Sequence, residues 1–593
     1  MNIPYRRLAT TYGYDYGTTA SRLDLFDAGV ERIERRLAQL VPPPVRHIPI
    51  LIGGAGEKRS LPAVARHADI WHSFPFPIDV YRRKSKLLDE LATAAGRDGA
   101  HIERSVASSA PFSSGFDRRS ADEFVGAHGK ADRRFVGNRL AGVRIGRREA
   151  VAVTVGVLLV VAAFIVPHLH LGIVTPLINA SAARFHDFAD TAPIFGWWNA
   201  HVGWGTVPAI VIGIAAVVWG QAVAQRLPWR ALPWVTWATA CAWAFSLAMI
   251  DGWQRGFAGR LTARHEYLRQ VPTITDIPGA VRTFASRIPD FQPNSWITHV
   301  SGHPPGALLT FVWLDRIGLG GGAWAGLLCL LVGSSAAAAI VVGVRALADE
   351  NTARLVAPFV AVAPTAIWVA VSADGYYAGV AAWGIALLAL AARRRVRWRI
   401  PAAVGSGLLL GWGIFLNYGL ALMAVPAVAV LIAAVDWRAA LDALVPAVLA
   451  ALAVVGVFAI AGFWWFDGYT LVQERYWQGI ANDRPFQYWS WANFASVVCA
   501  IGLGSVAGIG RAFDVAAIKR RSGPHLVVLG ALAAIVFADL SMLSKAETER
   551  IWLPFTVWLT AAGALLPPRS LRWWLALNVV GALLLNHFIL TNW

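Results

Sequence analysis

Val151 to Val166 reads VAVTVGVLLVVAAFIV, an uncharged run directly preceded by Arg144, Arg147 and Arg148. A bilayer-crossing helix needs about 17 to 25 predominantly apolar residues, so this stretch with its flanks is the first candidate span. Everything before it follows soluble grammar, and everything after it repeats the apolar pattern. Further spans are expected near 206–225, 231–250, 323–345, 354–372, 374–392, 400–416, 418–435, 440–463, 491–510, 525–543, 551–567 and 572–590, which with 150–166 makes about thirteen. The fold class expected is therefore mainly α, a polytopic transmembrane helix bundle over 150–593, with a small N-terminal α/β fragment over 1–110 and a basic linker over 111–149.

Composition agrees. Of 593 residues 56% are hydrophobic and 15% charged, and mean hydropathy is +0.50, whereas soluble domains carry about a quarter charged residues. Net charge is +17, but the arginines sit in short clusters between apolar runs, as in cytoplasmic loops and anionic-lipid contacts, so no nucleic-acid partner is expected. Cys241, Cys329 and Cys499 lie inside apolar runs without metal or redox spacing and read as packing residues. Met1 to Leu40 is polar and lacks the apolar core of a cleavable signal, so insertion is expected to start at the first internal span.

Positive charge sets orientation. Arg226, Arg230, the cluster Arg393 to Arg399, then Arg511, Lys519, Arg520, Arg521, Arg569 and Arg572 are expected on the cytoplasmic side. A full crossing by His303 to Gly318 would put the arginine cluster outside. That short segment is therefore expected to be a re-entrant or interfacial helix. The other face then receives Val166 to Gly205, Asp251 to Gly302, Phe463 to Trp489 and Ser544 to Arg550, where acids, histidines and aromatic residues gather. A plasma-membrane, multi-pass protein with a cytoplasmic N-terminal piece follows from this reading.

In the N-terminal piece, helices are expected at Asp24–Leu40, from Lys58, and at about 77–95, with strands at Ile48–Ile52 and Ala68–His72. The stretch Ile48 to His72, IPILIGGAGEKRSLPAVARHADIWH, resembles the C-terminal part of luciferase-like monooxygenases, barrel enzymes that use a flavin or the deazaflavin F420. The resemblance implies a TIM-barrel type fragment in which Gly53, Gly54 and Gly56 face the cofactor phosphate. Only about 110 residues are covered, whereas such a barrel needs about 250.

In the apolar part, SGHPPGALL (Ser301 to Leu309) and SKAETERIWLPF (Ser544 to Phe555) resemble actinobacterial members of the GT-C superfamily of integral-membrane glycosyltransferases. That resemblance implies a polyprenyl-phosphate sugar donor, an envelope glycan or lipid acceptor, and chemistry at the extracytoplasmic face. Such transfer needs a carboxylate to deprotonate the acceptor hydroxyl and a cation to neutralise the phosphate leaving group. Asp251, at the water boundary, is the first choice of base, with Asp187 and Asp190 as rivals. Arg550, with Lys545 and His303, suits the phosphate, and Glu549 either orients the Arg550 fork or holds a divalent metal. Glu266 in the second loop and Arg475 in the third, among aromatics that suit either sugar stacking or the interfacial belt, complete the substrate-binding candidates. The Ser544 to Arg550 cluster suits a snorkelling anchor as well. No Walker loop, HExxH, GxSxG or DxD pattern occurs. Two other classes stay open: a transporter or lipid flippase, for which only Asp374 and Asn417 near span ends speak, and an oxidoreductase fragment tethered to the membrane.

Overall fold

The computed structural model describes residues 18–41, 47–73, 78–106, 145–169, 191–370, 372–393, 398–434, 436–482 and 484–592. Asp187, Asp190 and most of the expected linker lie outside the described residues. The chain divides into two units, Met1–Val143 and Arg144–Trp593.

In the first unit Thr18 caps the amphipathic helix Thr19–Ala38, its hydroxyl accepting from Ser21 N. Three parallel strands, β1 (Leu51–Gly53), β2 (Ile70–Ser73) and β3 (Glu103–Val106), lie in that order. Leu51 is opposite Ile70, which is opposite Glu103. Parallel neighbours need crossovers, which Ser60–His67 and Ile78–Ala94 supply. Ile52, Leu61, Val64, Trp71, Leu88 and Ile102 form the core. The strand β3 was not expected, because four residues with two charges, Glu103 and Arg104, carry almost no strand signal. β1 and β3 are both sheet edges, so the described strands do not close a barrel.

In the second unit eight helices are long and apolar enough to cross a membrane: Arg147–Leu169, Thr206–Arg226, Gly322–Leu347, Ala373–Ala391, Arg399–Leu416, Trp437–Ile460, Phe486–Ala512 and Gly523–Leu540. Four other expected spans are shorter: Leu232–Ala248, Glu350–Ala361, Tyr418–Ala433 and Leu553–Leu565. The last, Leu571–Phe588, carries Arg572, Asn578, Asn586 and His587 along its length. Gly322–Leu347 and Ala373–Ala391 form the centre of the bundle and meet through small residues; a Cβ on Gly379 would lie 2.0 Å from the Val332 carbonyl oxygen. That approach fixes where Ala373–Ala391 begins, and with it Asp374.

The Pro305–Arg316 helix has 12 residues, about 18 Å of rise against a hydrocarbon core of about 30 Å. Its ends both meet the Asp251–Gly302 segment: His303, just before it, packs edge-on against Tyr267, and Arg316 Nη2 donates to the Ile274 carbonyl at 2.7 Å. The chain thus returns to the end of the bundle it left. At that end an antiparallel ribbon joins β4 (Gly196–Trp198) to β5 (Ile589–Thr591), tying the first loop to the C-terminal helix.

Candidate active site

The segments 191–205, 251–303, 463–489 and 544–550 are joined at one end of the bundle by direct contacts. Glu549 Oε1 accepts from Phe195 N at 2.9 Å, His201 Nε2 meets Asp251 Oδ1 at 2.9 Å, Arg475 pairs with Asp290 at 2.5 Å, and Arg484 Nη2 pairs with Glu547 Oε1 at 2.9 Å. Two polar clusters result.

The first is built on Asp251, just past the Leu232–Ala248 helix. His201 Nδ1 donates to the Asn199 carbonyl at 2.8 Å, which fixes the ring that holds Oδ1. Asn199 is itself hydrogen-bonded through its amide to the Phe588 carbonyl beside the ribbon. Oδ2 faces Arg255 Nε at 3.6 Å. Arg255 in turn donates to the Thr591 carbonyl at 2.7 Å and lies over the Trp197 ring. The Asp251 side chain keeps 10% of its surface exposed. A carboxylate with one oxygen anchored and the other beside a cation can accept a proton from a bound hydroxyl.

The second cluster is centred on Arg550, which is buried. Its Nη1 donates to Asp374 Oδ2 and its Nη2 to Glu547 Oε2, the latter at 2.9 Å. Burial pushes the Arg550 guanidinium down, but Asp374, Glu547 and Glu266 outweigh it and hold it above its ordinary value. Burial raises Glu547, and Arg484 and Arg550 more than reverse this, taking it to about 2. Arg484 also donates to the Lys545 carbonyl at 2.5 Å, while Lys545 Nζ donates to the carbonyls of Ala481 and Arg484 at 3.0 Å and sits over Trp477. Met542, Ala546 and Glu547 all have positive φ, at 59°, 66° and 60°. For residues with a Cβ this costs about 1–2 kcal/mol each, and the clamp of Lys545, Arg484 and Asn493 around the loop offsets it.

Between the clusters stand Glu266, His299, His303 and Arg260. Glu266 Oε1 meets His299 Nδ1 at 2.9 Å. Burial raises the Glu266 carboxyl, but His299, Arg550 and Arg260 bring it below its ordinary value. His303 Nδ1 donates to the His299 carbonyl at 2.7 Å, its ring packs on Tyr267 and Tyr377, and burial lowers it to about 4. The Tyr377 hydroxyl donates to the Tyr267 hydroxyl at 3.0 Å. Burial, reinforced by Arg255 and Arg550, takes Arg260 down to about 10, while Glu266 and Asp251 pull it up. Arg260 therefore feels both clusters, although no hydrogen bond or ion pair joins Asp251 to His303 or Arg550 among the described residues.

The fork of Arg550 is oriented by Glu547, not by Glu549 as the sequence suggested. Glu547 sits at φ 60° in the left-handed turn that opens the short helix Thr548–Ile551, which brings its side chain to Arg550, while Glu549 turns away to Phe195 N. Its Oε2 has no hydrogen-bond partner among the described residues, and burial pushes its carboxyl up to about 7. Among the described residues no group of three or more His, Cys, Asp or Glu side chains suits a metal. Arg475 is turned to Asp290 rather than toward Arg550. Asp374, His201, His299 and Glu547 escaped the sequence reading as site residues. Asp374 alone left a signal, an acid at the mouth of an apolar run.

In the N-terminal unit, Gly54 at φ +126° turns the chain after β1, and a Cβ there would come 3.2 Å from Ser60 Oγ. Gly54 N donates to the His72 carbonyl at 2.9 Å, and Lys84, on the Ala55 carbonyl, also pairs with Glu57 at 2.7 Å.

The family model for luciferase-like monooxygenase matches residues 25–152. Uncharacterized proteins of Mycobacterium tuberculosis (strain ATCC 25618 / H37Rv) and Mycobacterium bovis (strain ATCC BAA-935 / AF2122/97) are 44% identical over 59 residues, 10% of this chain and 21% of theirs. The chain thus spans about a fifth of the length of these curated relatives. Among solved structures, an Archaeoglobus fulgidus oligosaccharyltransferase in complex with Zn and sulfate is similar at 14% identity with a TM-score of 0.41, over 60% of this chain and 53% of that one. The same enzyme tethered to an acceptor peptide gives 13% and 0.37, over 61% and 56%.

Proposed function

We propose that residues 150–593 form an integral-membrane glycosyltransferase that moves a sugar from a polyprenyl-phosphate donor to an envelope glycan or lipid at the extracytoplasmic face. The observation that carries this reading is the Asp251 carboxylate, anchored by His201 and facing Arg255, at the same end of the bundle as a chain of arginines. Asp251 takes the proton of the acceptor hydroxyl as it attacks the sugar carbon. Arg255 and Arg260 stabilise the charge there, and Arg550, held by Asp374 and Glu547, neutralises the departing phosphate. His303 and Glu266 line the path between, and Lys545 fixes the loop that carries Arg550.

The test is transfer of radiolabelled sugar from a polyprenyl-phosphate donor by the full chain in proteoliposomes, with and without envelope glycolipid. Acceptor-dependent transfer, abolished in an Asp251→Asn variant that inserts normally, is expected. Lipid movement across the bilayer without acceptor, unchanged by that variant, would instead make the protein a flippase. A second reading rests on the family match at residues 25–152: a luciferase-like unit that binds a flavin or deazaflavin phosphate at Gly53, Gly54 and Gly56. Titration of the full chain with either cofactor, read by fluorescence, tests it; unchanged cofactor fluorescence removes it.

A further inference from the structure

At the end of the bundle opposite Asp251, the loops border a half-open cavity of about 380 Å³, within the size range of small-molecule sites, about 300–1,000 Å³. Its walls carry two cations, Arg148 and Arg511, the His525 ring on Ser522, and two carboxylates, Asp349 and Asp514, which also cap helices by accepting from Thr352 N and Ala517 N. Arg148 Nη1 pairs with Asp514 at 2.9 Å and Arg511 Nη1 with Glu149 at 2.6 Å. Each guanidinium has five N–H donors, so each keeps most of its fork for another partner. The first turn of Gly523–Leu540 lines the cavity without a side-chain cap, adding backbone amides and the positive end of a helix dipole. Ala564 and Leu565 supply an apolar floor.

We propose that this cavity binds a phospholipid headgroup that carries both a phosphate and a primary ammonium, of the phosphatidylethanolamine type. The phosphate lies on the forks of Arg148 and Arg511, a geometry that planar guanidinium groups match. The ammonium donates to Asp349 and Asp514. An anionic headgroup would satisfy the arginines and leave two carboxylates facing its charge. A choline headgroup has no N–H to give them and is normally recognised by aromatic faces, whereas none of the residues lining the cavity is Trp, Tyr or Phe.

The test is native mass spectrometry of the full chain, delipidated in detergent and then offered equal amounts of short-chain phosphatidylethanolamine, phosphatidylcholine and phosphatidylglycerol. Retention of the ethanolamine lipid is expected to exceed the others by about tenfold, the value of one charge-assisted hydrogen bond lost. Arg148→Gln, which removes a phosphate contact common to all three lipids, should lower the retention of all three; Asp349→Asn, whose amide oxygen can still accept from Thr352 N, should erase the ethanolamine preference, and Ala564→Phe should block the cavity sterically. Equal retention of the three lipids, tighter retention of phosphatidylglycerol, or an ethanolamine preference that survives Asp349→Asn would each overturn the proposal. Displacement of the bound lipid by millimolar phosphoethanolamine alone would show a soluble ligand and overturn the lipid assignment.

Discussion

The Asp251 cluster and the Arg550 cluster use the same vocabulary of carboxylate, histidine and arginine, yet they differ in what their charges are free to do. The Asp251 side chain keeps 10% of its surface exposed, with Arg255 at 3.6 Å from Oδ2, whereas Arg550 is buried and holds two carboxylates of its own. A buried set of charges is expensive to disturb, because removing one partner strands the other in low dielectric. On the proposed reading the first cluster supplies the base and the second holds a buried cation in place.

The largest expected effect follows from the first. Asp251→Asn keeps the size and the His201 contact but cannot take a proton, so sugar transfer should fall by about 10²- to 10⁴-fold. The melting temperature should not move. A loss of activity matched by a loss of folded protein would put Asp251 in the same structural class as Arg550 and erase the distinction.

Arg550→Met should reverse the pattern. Asp374, 1% exposed, and Glu547 lose their shared cation, at a cost of about 3–5 kcal/mol. Folded yield in detergent should collapse, and a companion Asp374→Asn substitution should restore part of it. If the single variant is as stable as the parent, the cluster is more open than its burial implies.

The two glutamates flanking Thr548 give a finer contrast. Burial holds Glu549 up at about 7 from an ordinary 4.5, so the folded state keeps a proton that the unfolded state has released. Stability from this group is fully present below about pH 4.5 and is lost as pH rises through about 7, an effect on the order of 3 kcal/mol at most. Glu547, lowered to about 2, acts with the opposite sign and only as pH falls below its ordinary value; His303, lowered by burial from 6.5 to about 4, also acts with the opposite sign, its contribution lost as pH falls below about 6.5, so Glu549 is isolated by comparing the parent with a variant that lacks it. Thermal melts from about pH 5 to 7 should show the difference between the parent and Glu549→Gln falling as pH rises. A difference that stays constant across that window would mean Glu549 does not titrate there.

The apolar runs announced the bundle because lipid leaves the backbone little choice but helix, and the loops that carry the polar clusters were legible from charge alone. Pairing within the loops was not. Which of Glu547 and Glu549 meets Arg550 depends on a left-handed turn at Ala546 and Glu547, which no residue type there advertises. His201 reaches Asp251 only because the C-terminal strand β5 pins the first loop, a contact between distant parts of the chain. Asp374 is set by the close approach of two glycine-bearing helices. The third strand of the N-terminal unit was invisible for a simpler reason: four residues cannot show a period.

The smallest effect should come from Arg475, which sequence alone grouped with the substrate-binding side chains. Its guanidinium pairs with Asp290, whose side chain is 38% exposed, and the neighbouring Gln478 side chain accepts from Asp290 N at 2.7 Å. The pair fastens the Trp465–Gln478 helix to the second loop at a half-exposed site, where such bridges contribute about 0–1 kcal/mol. Arg475→Gln should therefore lower stability by no more than that and leave KM for the lipid donor within about threefold, the kinetic equivalent of less than 1 kcal/mol. Donor titrations of the variant in proteoliposomes decide the matter. A KM raised tenfold with unchanged melting would place Arg475 on the donor phosphate and extend the binding surface beyond the Asp251 and Arg550 clusters.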